Sequence, residues 1–314
     1  MSSHPTNLVR DCADDLALTV GELLSIARTA PKRYFVWQVD KRSGAGKRTI
    51  CHPARELKAV QYYFLHRILF DLPVHPAATA YVSGSSIKKN ATVHAESRVI
   101  MKLDFSDFFT SLKVSNWKQY AKQKFREWSD DELEFSCRIL FWGIGTVRPI
   151  CLAIGAPTSP LLSNALMYEV DVELAKYADA NGLKYSRYAD DITFSSKGWL
   201  DYELTLEAVK RSLLTAKNSS IRINEEKTVL VSNKFARRIT GLNITPDNSV
   251  SLGRDRKRLI SAMVHRVSNN MLPENEFPKL VGLLSFALDV EPSFVRRMEK
   301  KYSYDLICYI MRNS

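Results

Sequence analysis

Three Asp-Asp pairs occur in this sequence, at 14–15, 130–131 and 190–191. Asp130-Asp131 lies between Ser129 and Glu132, a capping box in which acids complement the helix dipole, and Asp14-Asp15 is read in the same way as opening a helix. Asp190-Asp191 has no such explanation. It separates two β-rich runs, 185–189 and 192–195, and so stands at a hairpin tip where an Asn-Gly or Gly-containing turn is ordinarily preferred. Crowding two like charges there is unfavourable unless a cation neutralises them. Mg²⁺ takes carboxylate oxygens and is typically held by one or two carboxylates plus substrate phosphates. Val99, Met101, Leu103 and Phe105 alternate with Ile100, Lys102 and Asp104, so a strand with one apolar face delivers a third carboxylate on the other. Three acids so placed suit two metals roughly 3.5 to 4 Å apart, the arrangement that supports in-line displacement at phosphorus. That chemistry relies on positioning and charge rather than on a protein nucleophile, and no convincing Ser-His-Asp or Cys-His signature is present. The pair alone would equally serve a structural or calcium-binding turn.

The elements that must position these acids follow from pattern. Thr19 and Glu22 form a capping box for a helix that Pro31 closes. Residues 33–39 read as a strand and 41–48 as a Gly-rich basic hairpin loop; apolar residues recur at helical spacing from Leu57 to Leu72. Ser159-Pro160 opens a helix expected to run to Gly182, and 205–217 is helical. Residues 239–244 and 250–252 form a hairpin around Pro246, and helices follow from Arg254. Strands alternating with helices and hairpins give an α+β fold, a sheet with helices on one face.

The 314 residues are 45% hydrophobic and 25% charged, which excludes disorder and collagen-like repetition and suggests about two domains or one enzyme with lobes. No apolar stretch approaches the roughly 18 residues of a membrane span, and acids at 11, 14 and 15 stand where a secretory signal would need basic and apolar residues, so a cytoplasmic protein is expected. The five cysteines are scattered, with no C-x-x-C spacing, and read as free thiols. The net charge of +11 is concentrated in two tracts, +7 over residues 32–67 and +6 over 234–266. Such tracts suit a polyanion gripped from two sides. No basic amphipathic anchor adjoins them, so a membrane is not expected.

The run Tyr188-Ala-Asp-Asp191 resembles the metal-binding motif of reverse transcriptases. Companions stand in the family's order: residues 103–112 resemble motif A, 154–160 motif B, 223–228 motif D and 238–242 the primer-grip region. Within that family the likeness is to the bacterial retron enzymes, through Asn90-Ala-Thr-Val-His94, Ile239-Thr-Gly241 and the basic stretch 47–58, and through a length with no further appendage.

The resemblance implies a right-hand polymerase with an antiparallel palm sheet backed by helices: fingers over residues 1–97, a palm over 98–244 with a finger insertion near 113–150, and a helical thumb over 245–314. It implies two Mg²⁺ ions, with Mn²⁺ able to substitute, held by Asp104 and Asp190 with Asp191 beside them, and Lys227 as general acid toward pyrophosphate. Lys47 and Arg48 would hold the triphosphate. Phe109, with Phe105 beside it, would gate against a 2′-hydroxyl, and Gly155 would let backbone approach the nucleotide. The position before Gly155 is Ile154, where relatives usually carry Gln, which removes an expected side-chain hydrogen bond to the nucleotide. Asn90 and His94 would recognise structured RNA or order the fold, Thr240 and Gly241 would track the primer, and Arg254, Arg256, Lys257 and Arg258 would hold duplex phosphates. The implied partners are a non-coding RNA serving as template and primer, its RNA-linked single-stranded DNA product (msDNA), dNTPs and an effector protein of an anti-phage system. Rival readings are a group II intron-like or diversity-generating reverse transcriptase, an RNA polymerase, or an idle RNA-binding scaffold.

Overall fold

In the computed structural model of the chain, the described residues are 7–40, 46–218 and 220–312; the basic pair Lys41 and Arg42 and the loop expected around them therefore lie outside the described residues. The chain divides into two compact units. One comprises Met1–Gly84, Met101–Phe194 and Asp201–Val229, and the other Ser85–Ile100, Ser195–Leu200 and Leu230–Ser314. Residues 85–100 and 195–200 thus group with residues 230–314.

The first unit opens with helices Leu8–Asp15 and Val20–Thr29. Asp14 and Asp15 end their helix rather than start it, which corrects the sequence expectation. Asn7 supplies the N-cap through its side chain to the Arg10 amide, and Arg67 pairs with Asp15 at 3.3 Å to offset an acid at the unfavourable end of the dipole. Both expected capping boxes form, at Thr19–Glu22 and Ser129–Glu132. Strands β1 (Tyr34–Asp40) and β2 (Lys47–Pro53) pair antiparallel, with Asp40 opposite Lys47 and Val39 opposite Arg48. Lys47 and Arg48 are thus fixed on a strand rather than carried by a loop.

A five-stranded sheet carries the acids. β3 (Val99–Ser106), β4 (Lys184–Tyr188), β5 (Asp191–Ser196) and β6 (Arg222–Ile223) lie in the order β4-β5-β3-β6, and β7 (Val229–Ser232) also pairs with β3. Alternation along β3 buries Met101, Leu103 and Phe105 and leaves Lys102 and Asp104 less covered, as the pattern requires. The helix opened by Ser159-Pro160 is two helices, Ser159–Leu166 and Tyr168–Ala180, with Met167 between them. Helices Val114–Lys124 and Asp130–Leu140 occupy the span expected of the finger insertion.

In the second unit, β8 (Arg237–Ile239), β9 (Leu242–Ile244) and β10 (Val250–Ser251) form an antiparallel sheet in the order β10-β9-β8. Helices Arg254–Ser268, Phe277–Val290, Pro292–Tyr302 and Tyr304–Arg312 follow. Their apolar faces meet in one core that includes Ile260, Val264, Leu280, Leu284, Val295, Ile307 and Ile310. Among the described residues no helix is long and apolar enough to cross a membrane.

Candidate active site

Two short backbone bonds place the principal acids. The Phe105 amide donates to the Asp190 carbonyl at 3.2 Å, and the Asn224 amide donates to the Asp104 carbonyl at 2.7 Å. The hairpin turn is Ala189-Asp190, with Ala189 in the left-handed region at φ +58°, and Asp191 already belongs to β5. The tip is therefore one residue earlier than the Asp-Asp pair suggests, and consecutive acids take different directions. Asp104 and Asp190 line a cleft of about 510 Å³ in the first unit together with Lys47, Arg48, Phe105, Phe109 and Lys227.

The charges in this cleft constrain one another. Lys227 Nζ donates to Asp104 Oδ2 at 2.8 Å, which raises the lysine pKa, chiefly through that hydrogen bond. Desolvation, then the charge of Asp104, raises the Asp190 carboxyl. Asp191 is pushed up to about 6 by desolvation and then by the charges of Asp190 and Asp104, although the residue as a whole is exposed to water. Among the described residues no group of three or more His, Cys, Asp or Glu stands ready to hold a metal. Asp104 and Asp190 share the cleft, while Asp191, at the start of β5, is not among the residues that line it. Two carboxylates under mutual repulsion, in a cleft also lined by Lys47 and Arg48, fit a hard cation completed by substrate phosphates.

Other expected residues divide. Phe109 is half-buried at the cleft, whereas Phe105 is 2% exposed and stacks on Phe108, so its ring belongs to the floor beneath. Gly155 is not among the cleft residues. At φ +114°, a Cβ there would lie 3.0 Å from the Cys51 carbonyl oxygen, so the close approach it permits is to β2, and Ile154 is the residue facing the cleft. In the second unit Asn90 and His94 are buried, and His94 Nδ1 lies 2.6 Å from Ser195 Oγ. The buried His94 ring is thus tied to β5. Thr240, at φ +45°, donates to the Ile87 carbonyl at 3.1 Å. Gly241, Arg254 and Arg256 line one pocket of about 320 Å³ with Arg238. Arg254 and Arg258 are exposed, Arg256 lies over the Phe286 ring, and Lys257 is bound to Glu291 at 2.7 Å. The Lys257 ammonium therefore has an acidic partner within the second unit.

Three features of the site escape sequence reasoning. Asn224, within the motif D stretch, reaches Asp104 Oδ2 at 3.5 Å through its side chain. Tyr81 lines the cleft, its ring 6.4 Å from that of Phe109. Arg187 is fully buried against Asp171, with Nη2 to Oδ2 at 2.6 Å and Nε to Oδ1 at 2.8 Å. Its Nη1 donates to the Ala189 carbonyl at 3.0 Å, so an internal ion pair holds the turn that presents Asp190.

An acid-bearing antiparallel sheet with a basic, aromatic-walled cleft defines a nucleotide-polymerising class of protein. The family described as reverse transcriptase (RNA-dependent DNA polymerase) matches residues 39–249. The retron Ec83 reverse transcriptase of Escherichia coli is 36% identical over 90% of this chain and 90% of its own length. The retron Ec73 reverse transcriptase of Escherichia coli is 32% identical over 86% and 87%. A solved telomerase from Candida albicans, in complex with a TWJ fragment of telomeric RNA, superposes with a TM-score of 0.50 at 15% identity; the match covers 91% of this chain and 56% of the telomerase, a likeness of fold alone. The chain belongs to the reverse transcriptases, and among them to the retron enzymes, as an RNA-directed DNA polymerase.

Proposed function

We propose that the chain copies a dedicated structured non-coding RNA into single-stranded DNA that stays joined to RNA through a 2′-hydroxyl branch (msDNA), acting in the cytoplasm as part of an anti-phage system with an associated effector protein. The observation that carries the chemistry is the convergence of Asp104 and Asp190 with Lys47, Arg48 and Phe109 in one cleft. Similarity to several retron enzymes over most of the chain supports the RNA and its branched product.

In each addition, the growing end's hydroxyl gives its proton to solvent and its oxygen bonds to the α-phosphorus of a dNTP as the bond to the pyrophosphate oxygen breaks. Bound at Asp104 and Asp190, with Asp191 supporting, two Mg²⁺ ions (or Mn²⁺) would supply Lewis-acid activation and charge neutralisation. Lys47 and Arg48, exposed at the start of β2, hold the triphosphate, and Phe109 packs under the sugar where a 2′-hydroxyl would collide. Lys227 reaches this cleft with its proton held tightly by Asp104. Once that pair opens, the ammonium can give its proton to the departing pyrophosphate. Thr240, Gly241, Arg254 and Arg258 lie along the second unit as primer and duplex contacts.

Sequencing the nucleic acid that copurifies with the full chain tests this reading. A covalent RNA–DNA species is expected; free RNA with no attached DNA would contradict the retron branch of the proposal.

A further inference from the structure

Tyr81 combines features that packing does not require of one residue. Its side chain is large, yet the residue is 46% exposed. Its backbone sits at φ +62°, a conformation that a ring-bearing residue adopts only where its surroundings enforce it, and such strain clusters at ligand sites. The enforcing contacts are specific. The Arg187 amide donates to the Ala77 carbonyl and the Thr79 amide to the Arg187 carbonyl, each at 2.8 Å, so the segment before Tyr81 runs along β4. Asn164 Nδ2 then donates to the Ala80 carbonyl at 2.8 Å, while Asn164 Oδ1 accepts from Arg187 at 3.2 Å. One buried polar cluster thereby holds both the Asp190 turn, through Ala189, and the backbone that delivers Tyr81.

The ring so delivered stands in the cleft 6.4 Å from Phe109, tilted at 52°. With phosphates at Lys47 and Arg48 and the reacting end at Asp104 and Asp190, the remaining sugar and base of the nucleotide fall against these two rings. We infer that Tyr81 is a nucleotide-contacting residue whose ring forms, with Phe109, an aromatic wall for the incoming deoxynucleoside triphosphate. The inference rests on the polymerase reading above and adds to it a substrate contact on a segment outside the family's acid-bearing motifs. The ring, more than the hydroxyl, makes the contact, because stacking and edge contacts come from the aromatic body.

Single-nucleotide incorporation by the full chain on an RNA template tests this with Tyr81→Phe, Tyr81→Ala and Tyr81→Gly. The Ala and Gly variants are expected to raise the dNTP KM about tenfold, with the Phe variant within about twofold, as loss of one aromatic contact predicts. The kcat and primer–template affinity should stay near wild type in all three. Glycine accepts positive φ freely, so Tyr81→Gly should keep the fold and separate a contact from a backbone role. A wild-type KM in both Ala and Gly variants overturns the inference, as does recovery in Gly of what Ala loses. A wild-type chain that incorporates no dNTP would remove the polymerase reading itself, and this inference with it.

Discussion

Lys227 Nζ donates to Asp104 Oδ2 at 2.8 Å, joining residues 123 positions apart at the mouth of the cleft. The lysine side chain is 57% exposed and the aspartate 15%, so the pair is anchored on the acid side and free to swing on the other. An ammonium in that position neutralises the acid that a metal would claim, and in the general-acid role proposed for it Lys227 would have to release Asp104 to reach a leaving group.

Lys227→Ala should therefore lower the single-turnover rate of nucleotide addition about a hundredfold, the usual scale for loss of a general acid. Lys227→Arg should recover little, because arginine can keep the ion pair but does not give up its proton. Recovery of the full rate by arginine would make the role purely electrostatic.

The Arg187–Asp171 pair is fully buried, and Asp171 also accepts from the Tyr185 hydroxyl at 2.7 Å. Removing one partner strands the other charge. Arg187→Met should destabilise the chain by about 3–5 kcal/mol in urea unfolding. Replacing Asp171 as well should cost less than the sum of the single changes.

Asp191 gives a pH dependence whose sign is fixed. Its folded carboxyl titrates at about 6, against about 4 in an unfolded chain, so between those values the folded state binds the extra proton. Without divalent ions, stability from this group falls as pH rises through that window and is recovered on acidification. Thermal unfolding in chelator should show Asp191→Asn gaining on wild type at pH 7.5 but not at about pH 4. Mg²⁺, which favours the ionised acid, should narrow that gap.

Salt dependence should discriminate among the basic residues of the helix Arg254–Ser268. Arg254→Ala and Arg258→Ala should each reduce the slope of log affinity for duplex against log salt by about 1. Lys257→Ala should leave the slope unchanged and lower stability instead, since its ammonium serves Glu291.

Much of the frame is legible because its causes are local. The capping boxes at Thr19 and Ser129, the alternation along β3 that turns Asp104 away from the core, and the hairpin carrying Asp190 each follow from neighbours within a few residues. What is not legible depends on distant partners. Arg237 counts toward a basic tract, yet it is buried, with Nη1 bonded to the Ser97 carbonyl and Nη2 to the Thr245 carbonyl at 2.7 Å. Arg266 of the same tract is held by Glu276 at 3.1 Å. Tyr81 carries no motif, and contacts of the distant Arg187 and Asn164 hold the segment that delivers it to the cleft. Asp14 and Asp15 imitate a helix start because acid pairs favour that end, but Asn7 has already capped the helix.

The most direct measurement is primer extension with dNTPs on an RNA template by the purified full chain and by Asp190→Ala, with thermal unfolding recorded for both. The wild type should extend the primer, and the variant should fold normally and add no nucleotide. Extension by folded Asp190→Ala at the wild-type rate would contradict the assignment of this cleft as the polymerase centre.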